Sequence, residues 1–193
     1  KHVFIEKGLQ HWAAKNGSKT CRVLEIGFGT GLNALVTLLE AEKADLNIYY
    51  TGVEAFPVPP EEVENLNYPT FFTEKKALQY FRMLHEAPWD QKVNITHSFQ
   101  LQKKKQFFNE IAETDNFDLI YFDAFGPEVQ PELWTAEIFA TMYRALRNSG
   151  VLVTYSAKGS VRRTMQEIGF AVERLPGPPG KREMLRGTKE AHP

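Results

Sequence analysis

Short apolar runs alternate with longer amphipathic stretches along the chain. Residues 22–26, 47–53, 93–96, 117–122 and 151–155 are dominated by β-branched, aromatic and leucine side chains, the pattern of strands covered on both faces. Between them, residues 32–43, 74–86, 104–114, 136–146 and 161–168 repeat their apolar positions at intervals near three and four, which predicts helices. Strands alternating with helices predict an α/β architecture built on a parallel sheet. Near the end, residues 170–175 and 183–187 flank Gly177-Pro178-Pro179-Gly180, so the sheet is expected to close with an antiparallel hairpin. Residues 56–90 are rich in proline and aromatics and are expected to give helical cover near a site, leaving 1–193 as one domain.

The junction between the first strand and first helix reads Glu25-Ile26-Gly27-Phe28-Gly29-Thr30-Gly31, with Asn33 one step into the helix. A chain that turns sharply from strand to helix needs positive φ, and a loop without side chains lets a ligand approach the backbone. A dinucleotide fingerprint calls for glycine where Leu32 stands. An acid followed by three alternating glycines is instead similar to the first motif of class I methyltransferases, and a closing hairpin fits that fold better than a nicotinamide-binding one. Glu25, Gly27, Phe28, Gly29, Thr30, Gly31 and Asn33 are therefore candidate contacts for S-adenosyl-L-methionine. Glu54 ends the second predicted strand, where nucleotide-binding α/β folds place a carboxylate for ribose hydroxyls. Ser98 and Phe99 follow the third and are expected to face the adenine.

Composition narrows the setting. No apolar run approaches the ~20 residues of a membrane span and no secretory signal opens the chain, so a cytoplasmic protein is expected. Cys21 is the only cysteine, and His2, His11, His85, His97 and His192 are scattered, so no metal site is expected. The first residue is Lys1, not methionine, which suggests a native segment upstream. Net charge is −1, yet from Arg144 onward 10 Lys and Arg face 4 Asp and Glu. That basic third suits a polyanionic partner, or is an ordinary solvated surface.

The run Asp118-Leu119-Ile120-Tyr121-Phe122-Asp123-Ala124-Phe125-Gly126-Pro127 sets Asp123 at the carboxyl end of an apolar strand, where open α/β sheets bind ligands. A carboxylate there can hold the hydrogens of an amine and accept a proton while the lone pair attacks a methyl group. Phe125 can pack against a planar base or shield the sulfonium. Together with Pro131-Glu132-Leu133-Trp134, Tyr155-Ser156-Ala157-Lys158-Gly159-Ser160-Val161-Arg162-Arg163 and Gly177-Pro178-Pro179-Gly180-Lys181-Arg182-Glu183-Met184-Leu185, the run resembles the methyltransferase of tRNA wobble-uridine modification over nearly the whole chain.

The resemblance implies transfer of a methyl group from S-adenosyl-L-methionine to the amine of 5-aminomethyl-(2-thio)uridine, with Asp123 catalytic. It implies Phe125 and Trp134 at the base, and Lys158, Arg162, Arg163, Lys181 and Arg182 on the phosphates of a tRNA anticodon stem-loop. Some members carry a fused flavin oxidase domain, for which these residues have no counterpart. Those members have an aromatic in place of Ser160 and a different turn at 177–180. Two alternatives share the fold: an aminopropyltransferase of the polyamine-synthase type, against which Ala124 and Phe125 count where a second loop acid is needed, and a non-catalytic RNA-binding module.

Overall fold

The apolar runs lie side by side in one eight-stranded sheet in the computed structural model, which describes residues 1–191; His192 lies outside them. The strands are β1 (Thr20–Ile26), β2 (Asn47–Glu54), β3 (Lys92–Thr96), β4 (Phe99–Lys105), β5 (Phe117–Phe122), β6 (Leu146–Thr154), β7 (Phe170–Pro176) and β8 (Glu183–Lys189). Their order is β3-β4-β2-β1-β5-β6-β8-β7. The stretch β4-β2-β1-β5-β6 is parallel, and β8 runs antiparallel to both β6 and β7, which is the expected closing hairpin. From β1 the chain builds outward first through β2 and later through β5, so β1 and β5 flank the topological switch point where such sheets bind ligands.

Helices α2 (Leu32–Ala44) and α4 (Ala77–Glu86) cover one face. Beside them lies an N-terminal helix, π-wound over His2–Gln10 and continuing as α1 (His11–Asn16). Phe4, Leu9, Trp12, Leu35, Leu38 and Leu84 pack there on Val23, Ile48, Tyr50, Leu119 and Tyr121. Gly8 permits the close approach, since a Cβ on it would lie 3.1 Å from Val153 Cγ2. The short α3 (Pro60–Glu64) and a 3-10 turn at Tyr68–Phe71 precede α4. On the other face α5 (Ala136–Ala145) and α6 (Gly159–Ile168) bury Ile138, Phe139, Met142, Val161 and Met165 against Leu24, Ile26, Ile120, Phe122 and Leu152. Among the described residues no helix is long and apolar enough to cross a membrane.

Two expectations are corrected. The predicted strand at 93–96 is β3, an antiparallel edge strand, and the third parallel strand is β4. Its side chains alternate between buried and half-buried, but the inward set is Phe99, Leu101 and Lys103, and the lysine breaks the apolar alternation that identifies a strand. The helix predicted at 104–114 does not form. Lys104 and Lys105 belong to β4, and only Phe108–Glu110 winds, as a 3-10 turn. There the Glu110 carboxylate accepts from Phe107 N at 2.8 Å, while Phe108 and Ile111, which supplied the helical spacing, are buried separately against the sheet.

Candidate active site

Beyond the carboxyl ends of β1, β2, β4 and β5 lies a cavity of about 1160 Å³, lined by Gly27, Gly29, Glu54, Phe56, Phe107, Asp123, Phe125 and the start of α5. The glycine loop that floors it is tied down by backbone bonds: Gly27 N and Phe28 N both donate to Val53 O at 3.0 Å. Gly27 has φ +86°, and a Cβ on it would stand 2.9 Å from the Asp123 carbonyl oxygen. Only glycine lets β1 and β5 end so close together. Glu54 receives Gly29 N at 3.1 Å on one oxygen and Phe56 N at 3.0 Å on the other, so its carboxylate is fixed at the cavity wall. Phe56 and Phe107 are largely exposed and meet edge to face at 5.9 Å.

Asp123 enters from β5, its backbone N donating to Ile26 O at 3.0 Å. Its Oδ2 accepts from Asn33 Nδ2 at 2.8 Å, and the same amide nitrogen donates to Glu25 Oε1, also at 2.8 Å. Glu25 is 1% exposed, and its second oxygen accepts from the Tyr50 hydroxyl at 2.8 Å. Burial pushes Glu25 up to about 8 and Asp123 up to about 6, in each case against the hydrogen bond from Asn33. At neutral pH the free protein therefore holds Glu25 mostly neutral and Asp123 mostly ionised.

The loop after Asp123 is clamped through its carbonyls. Tyr155 OH donates to Ala124 O at 2.7 Å and Trp134 Nε1 to Phe125 O at 2.8 Å. Phe125 itself is 71% exposed at the cavity mouth. The walls of the cavity carry the carboxyls of Glu54, Asp123, Glu132 and Glu137 and, among the described residues, no lysine or arginine. Next to it a smaller recess of about 500 Å³ carries an excess of cations, with Lys158, Lys181 and Arg182 against Glu128 and Glu183 around Gly126 and Tyr155. Lys181 Nζ sits 4.0 Å over the Tyr155 ring, and Lys158 pairs with Glu128 at 3.6 Å.

The structure thus gathers Gly27, Gly29, Glu54, Asp123 and Phe125 around one space and sets Lys158, Lys181 and Arg182 beside it. Other expected residues are placed elsewhere. Ser98 precedes and Phe99 begins β4, at the amino end of the parallel strands and away from the cavity, Ser98 O accepting from Ile48 N and Phe99 stacking on Tyr50 at 5.6 Å. The carboxyl end of β4 brings Phe107, Phe108 and Asn109 to the wall instead.

Phe28 turns away from the cavity, 3% exposed, into a space that exists because residue 52 is glycine: a Cβ there would lie 2.3 Å from Phe28 Cδ2. Glu25, Thr30, Gly31 and Asn33 stand behind the wall, where Thr30 O meets His85 Nε2 at 3.1 Å. The Trp134 ring is buried against Phe122 at 5.0 Å, so it braces the Asp123 loop from the core. Arg162 and Arg163 lie on α6, outside both recesses. Sequence reasoning missed Tyr155, Phe56 and Phe107 as wall residues. The misplaced third strand hid Phe107, and Phe56 differed from a loop aromatic only in following Glu54. Among the described residues no group of three or more His, Cys, Asp or Glu is arranged to hold a metal ion.

The protein named tRNA 5-methylaminomethyl-2-thiouridine biosynthesis bifunctional protein MnmC from Hydrogenovibrio crunogenus is 33% identical over 184 residues, covering 88% of this chain and 26% of that protein. Its namesake from Leptospira borgpetersenii is 26% identical across 100% of this chain and 31% of that protein. The chain therefore spans about a quarter to a third of the curated relatives it matches. Among solved structures, MNMC2 from Aquifex aeolicus superposes with a TM-score of 0.72 at 23% identity, over 99% of this chain and 60% of that one. The N-methyltransferase NodS from Bradyrhizobium japonicum gives 0.55 at 15%, over 96% of each chain. These two likenesses establish a shared class I methyltransferase fold. A family model described as S-adenosyl-L-methionine-dependent methyltransferase matches residues 74–190, more than half of the sequence and including β5, the Asp123 loop and the closing hairpin, and by that match the chain belongs to the S-adenosyl-L-methionine-dependent methyltransferase family.

Proposed function

We propose that the chain methylates the amine of 5-aminomethyl-(2-thio)uridine at the wobble position of tRNA, using S-adenosyl-L-methionine. The observation that carries this reading is the pairing of an acidic cavity around Asp123 with a basic recess beside it. Carboxyls in the first favour a cationic cofactor and an amine, while cations in the second favour the phosphates of an RNA whose modified base reaches inward. The names of the relatives, which concern biosynthesis of 5-methylaminomethyl-2-thiouridine in tRNA, point the same way.

The residues fit the cofactor. Gly27 and Gly29 would line its path, Glu54 would accept from the ribose hydroxyls, and Phe56 with Phe107 would flank the adenine. When bound, the cofactor supplies an electrophilic methyl group on a sulfonium. Asp123 would accept hydrogen bonds from the incoming amine, turn its lone pair toward that methyl group and take up the proton released as the N–CH₃ bond forms and the S–CH₃ bond breaks, S-adenosylhomocysteine being the leaving group. Phe125 covers the uracil face, and the Trp134 and Tyr155 bonds to the loop carbonyls keep Asp123 and Phe125 in register. Lys158, Lys181 and Arg182, with Arg162 and Arg163 further along α6, hold the phosphates of the anticodon stem-loop.

Incubation with labelled S-adenosyl-L-methionine and tRNA bearing 5-aminomethyl-2-thiouridine, followed by nucleoside analysis, is expected to place label on the aminomethyl nitrogen and nowhere else. Turnover of decarboxylated S-adenosylmethionine with putrescine, or tight tRNA binding with no transfer to a verified acceptor, would replace the proposal by one of its alternatives. The double variant Lys181→Ala, Arg182→Ala is expected to weaken tRNA binding and flatten the plot of log affinity against log salt by about 1.4, at roughly 0.7 for each phosphate left unneutralised. An unchanged slope would move the RNA to another face.

A further inference from the structure

A buried hydrogen-bonded string crosses the sheet behind the cavity, and Asn33 is its central link. Tyr50 on β2 donates to Glu25 on β1, and Asn33 in the first turn of α2 donates one amide hydrogen to Glu25 and the other to Asp123 on β5. Tyr50 and Glu25 are each 1% exposed, and only Asp123 among the four lines the cavity. The two hydrogens of a primary amide lie in one plane at a fixed angle. With both engaged, the amide cannot turn, and the carboxyl plane of Asp123 is set by a group that does not line the cavity. The hydrogen bond falls on Oδ2, which leaves Oδ1 outside the string.

We propose that Asn33 is a positioning residue: it pins Oδ2 of Asp123 with one amide hydrogen, anchors itself on Glu25 with the other, and thereby presents Oδ1 to the acceptor amine. The inference rests on the role given above to Asp123 and adds the element that orients it. Asn33 also favours the charged form of Asp123. Without Asn33, burial acts on Asp123 unopposed by its amide donor, and the carboxyl holds its proton to higher pH. The other charged or titratable groups around Asp123 are Glu25, the Lys181 ammonium, the Lys1 amino group and the Tyr50 and Tyr155 hydroxyls, and the substitution leaves all of them in place.

The test begins with the free protein, labelled with ¹³C at aspartate carboxyls and titrated by NMR, the Asp123 resonance being identified by its loss in Asp123→Asn. Wild type is expected to titrate near pH 6. Asn33→Ala is expected to raise that midpoint by about 1 or more on the pH scale, since a hydrogen bond to a charged group has that strength. The acid limb of methyl transfer should move with it, so that kcat at pH 6 falls on the order of tenfold while the loss narrows at pH 8.

Asn33→Ser, which replaces the amide and its two donors by a shorter hydroxyl with a single donor, covers the case in which the alanine variant does not fold, and should raise the midpoint too. An unmoved Asp123 midpoint in whichever variant folds, or a kcat lowered equally at every pH, overturns the proposal. Failure of the methyl-transfer reading itself looks different: wild-type protein would show no transfer at any pH.

Discussion

Asp123→Ala is expected to cut methyl transfer by about 10²- to 10⁴-fold in kcat/KM, the usual share of a positioned acid–base group, while S-adenosylhomocysteine still binds. The separation follows from where the contacts lie. The glycine loop is held by Val53 O and Glu54 is held by Gly29 N and Phe56 N, and none of these bonds involves the Asp123 side chain. Asp123→Asn is the sharper variant, because its amide oxygen can still accept from Asn33 while the group can no longer ionise.

With Asp123 at about 6 in the folded protein against an ordinary 3.8, wild-type activity should fall as pH drops through 6 and the carboxylate takes up a proton. The effect on stability has the opposite sign. A carboxyl whose folded value is raised favours the folded state at low pH and loses that contribution as pH rises through the folded value. Asp123→Asn should therefore melt higher than wild type at pH 8, trading activity for stability. Turnover by Asp123→Ala within a few-fold of wild type, in the nucleoside assay, would remove Asp123 from the reaction.

How far the sequence carried depended on whether a residue's neighbours were local. The glycine loop was legible because β1, the turn and α2 are consecutive, and Asp123 because an apolar strand points at it from five residues away. The carboxyl cluster was not legible as a cluster. Asn33, Glu25 and Tyr50 reach one another from three elements, and nothing in the spacing from Glu25 to Asn33 states that one amide bridges two acids. Phe28 sat in the right motif but its direction was set by Gly52 on another strand, a packing relation with no local trace.

The third strand failed for a different reason: Lys103 faces inward, its ammonium donating to His85 O at 2.9 Å and lying 5.0 Å over the Trp89 ring. A buried lysine with such partners reads, in one dimension, as a break in a strand. That single misreading put the expected adenine contacts at Ser98 and Phe99, away from the carboxyl end of β4 where Phe107 lines the cavity. The N-terminal helix went unread because its π-winding offsets the 3.6-residue repeat by which helices are recognised.

Gly27→Ala is expected to do the most damage of any single methyl added to the site. Its φ of +86° is costly for a residue with a side chain, and the new Cβ would stand 2.9 Å from the Asp123 carbonyl oxygen and 3.3 Å from the carbonyl carbon. That neighbour is backbone at the end of a central strand, fixed by the bond from Asp123 N to Ile26 O, so it cannot rotate aside as a side chain would. Strained φ costs about 1–2 kcal/mol and overpacking against rigid structure about 1–3 kcal/mol. For a chain of this size the two together correspond to a Tm lower by roughly 5–15 °C.

Whatever relief the structure finds must push the glycine loop and the Asp123 loop apart, so cofactor affinity and turnover should fall together, unlike in Asp123→Ala. Gly17→Ala separates the two causes. Gly17 also has positive φ, +61°, but a Cβ there meets nothing within 4 Å, so that variant should lose only the conformational part, about 2–8 °C, with cofactor affinity unchanged. Equal losses in the two variants would mean that the contact between the loop and Asp123 carries no strain and that the closeness of β1 and β5 is not what shapes the site.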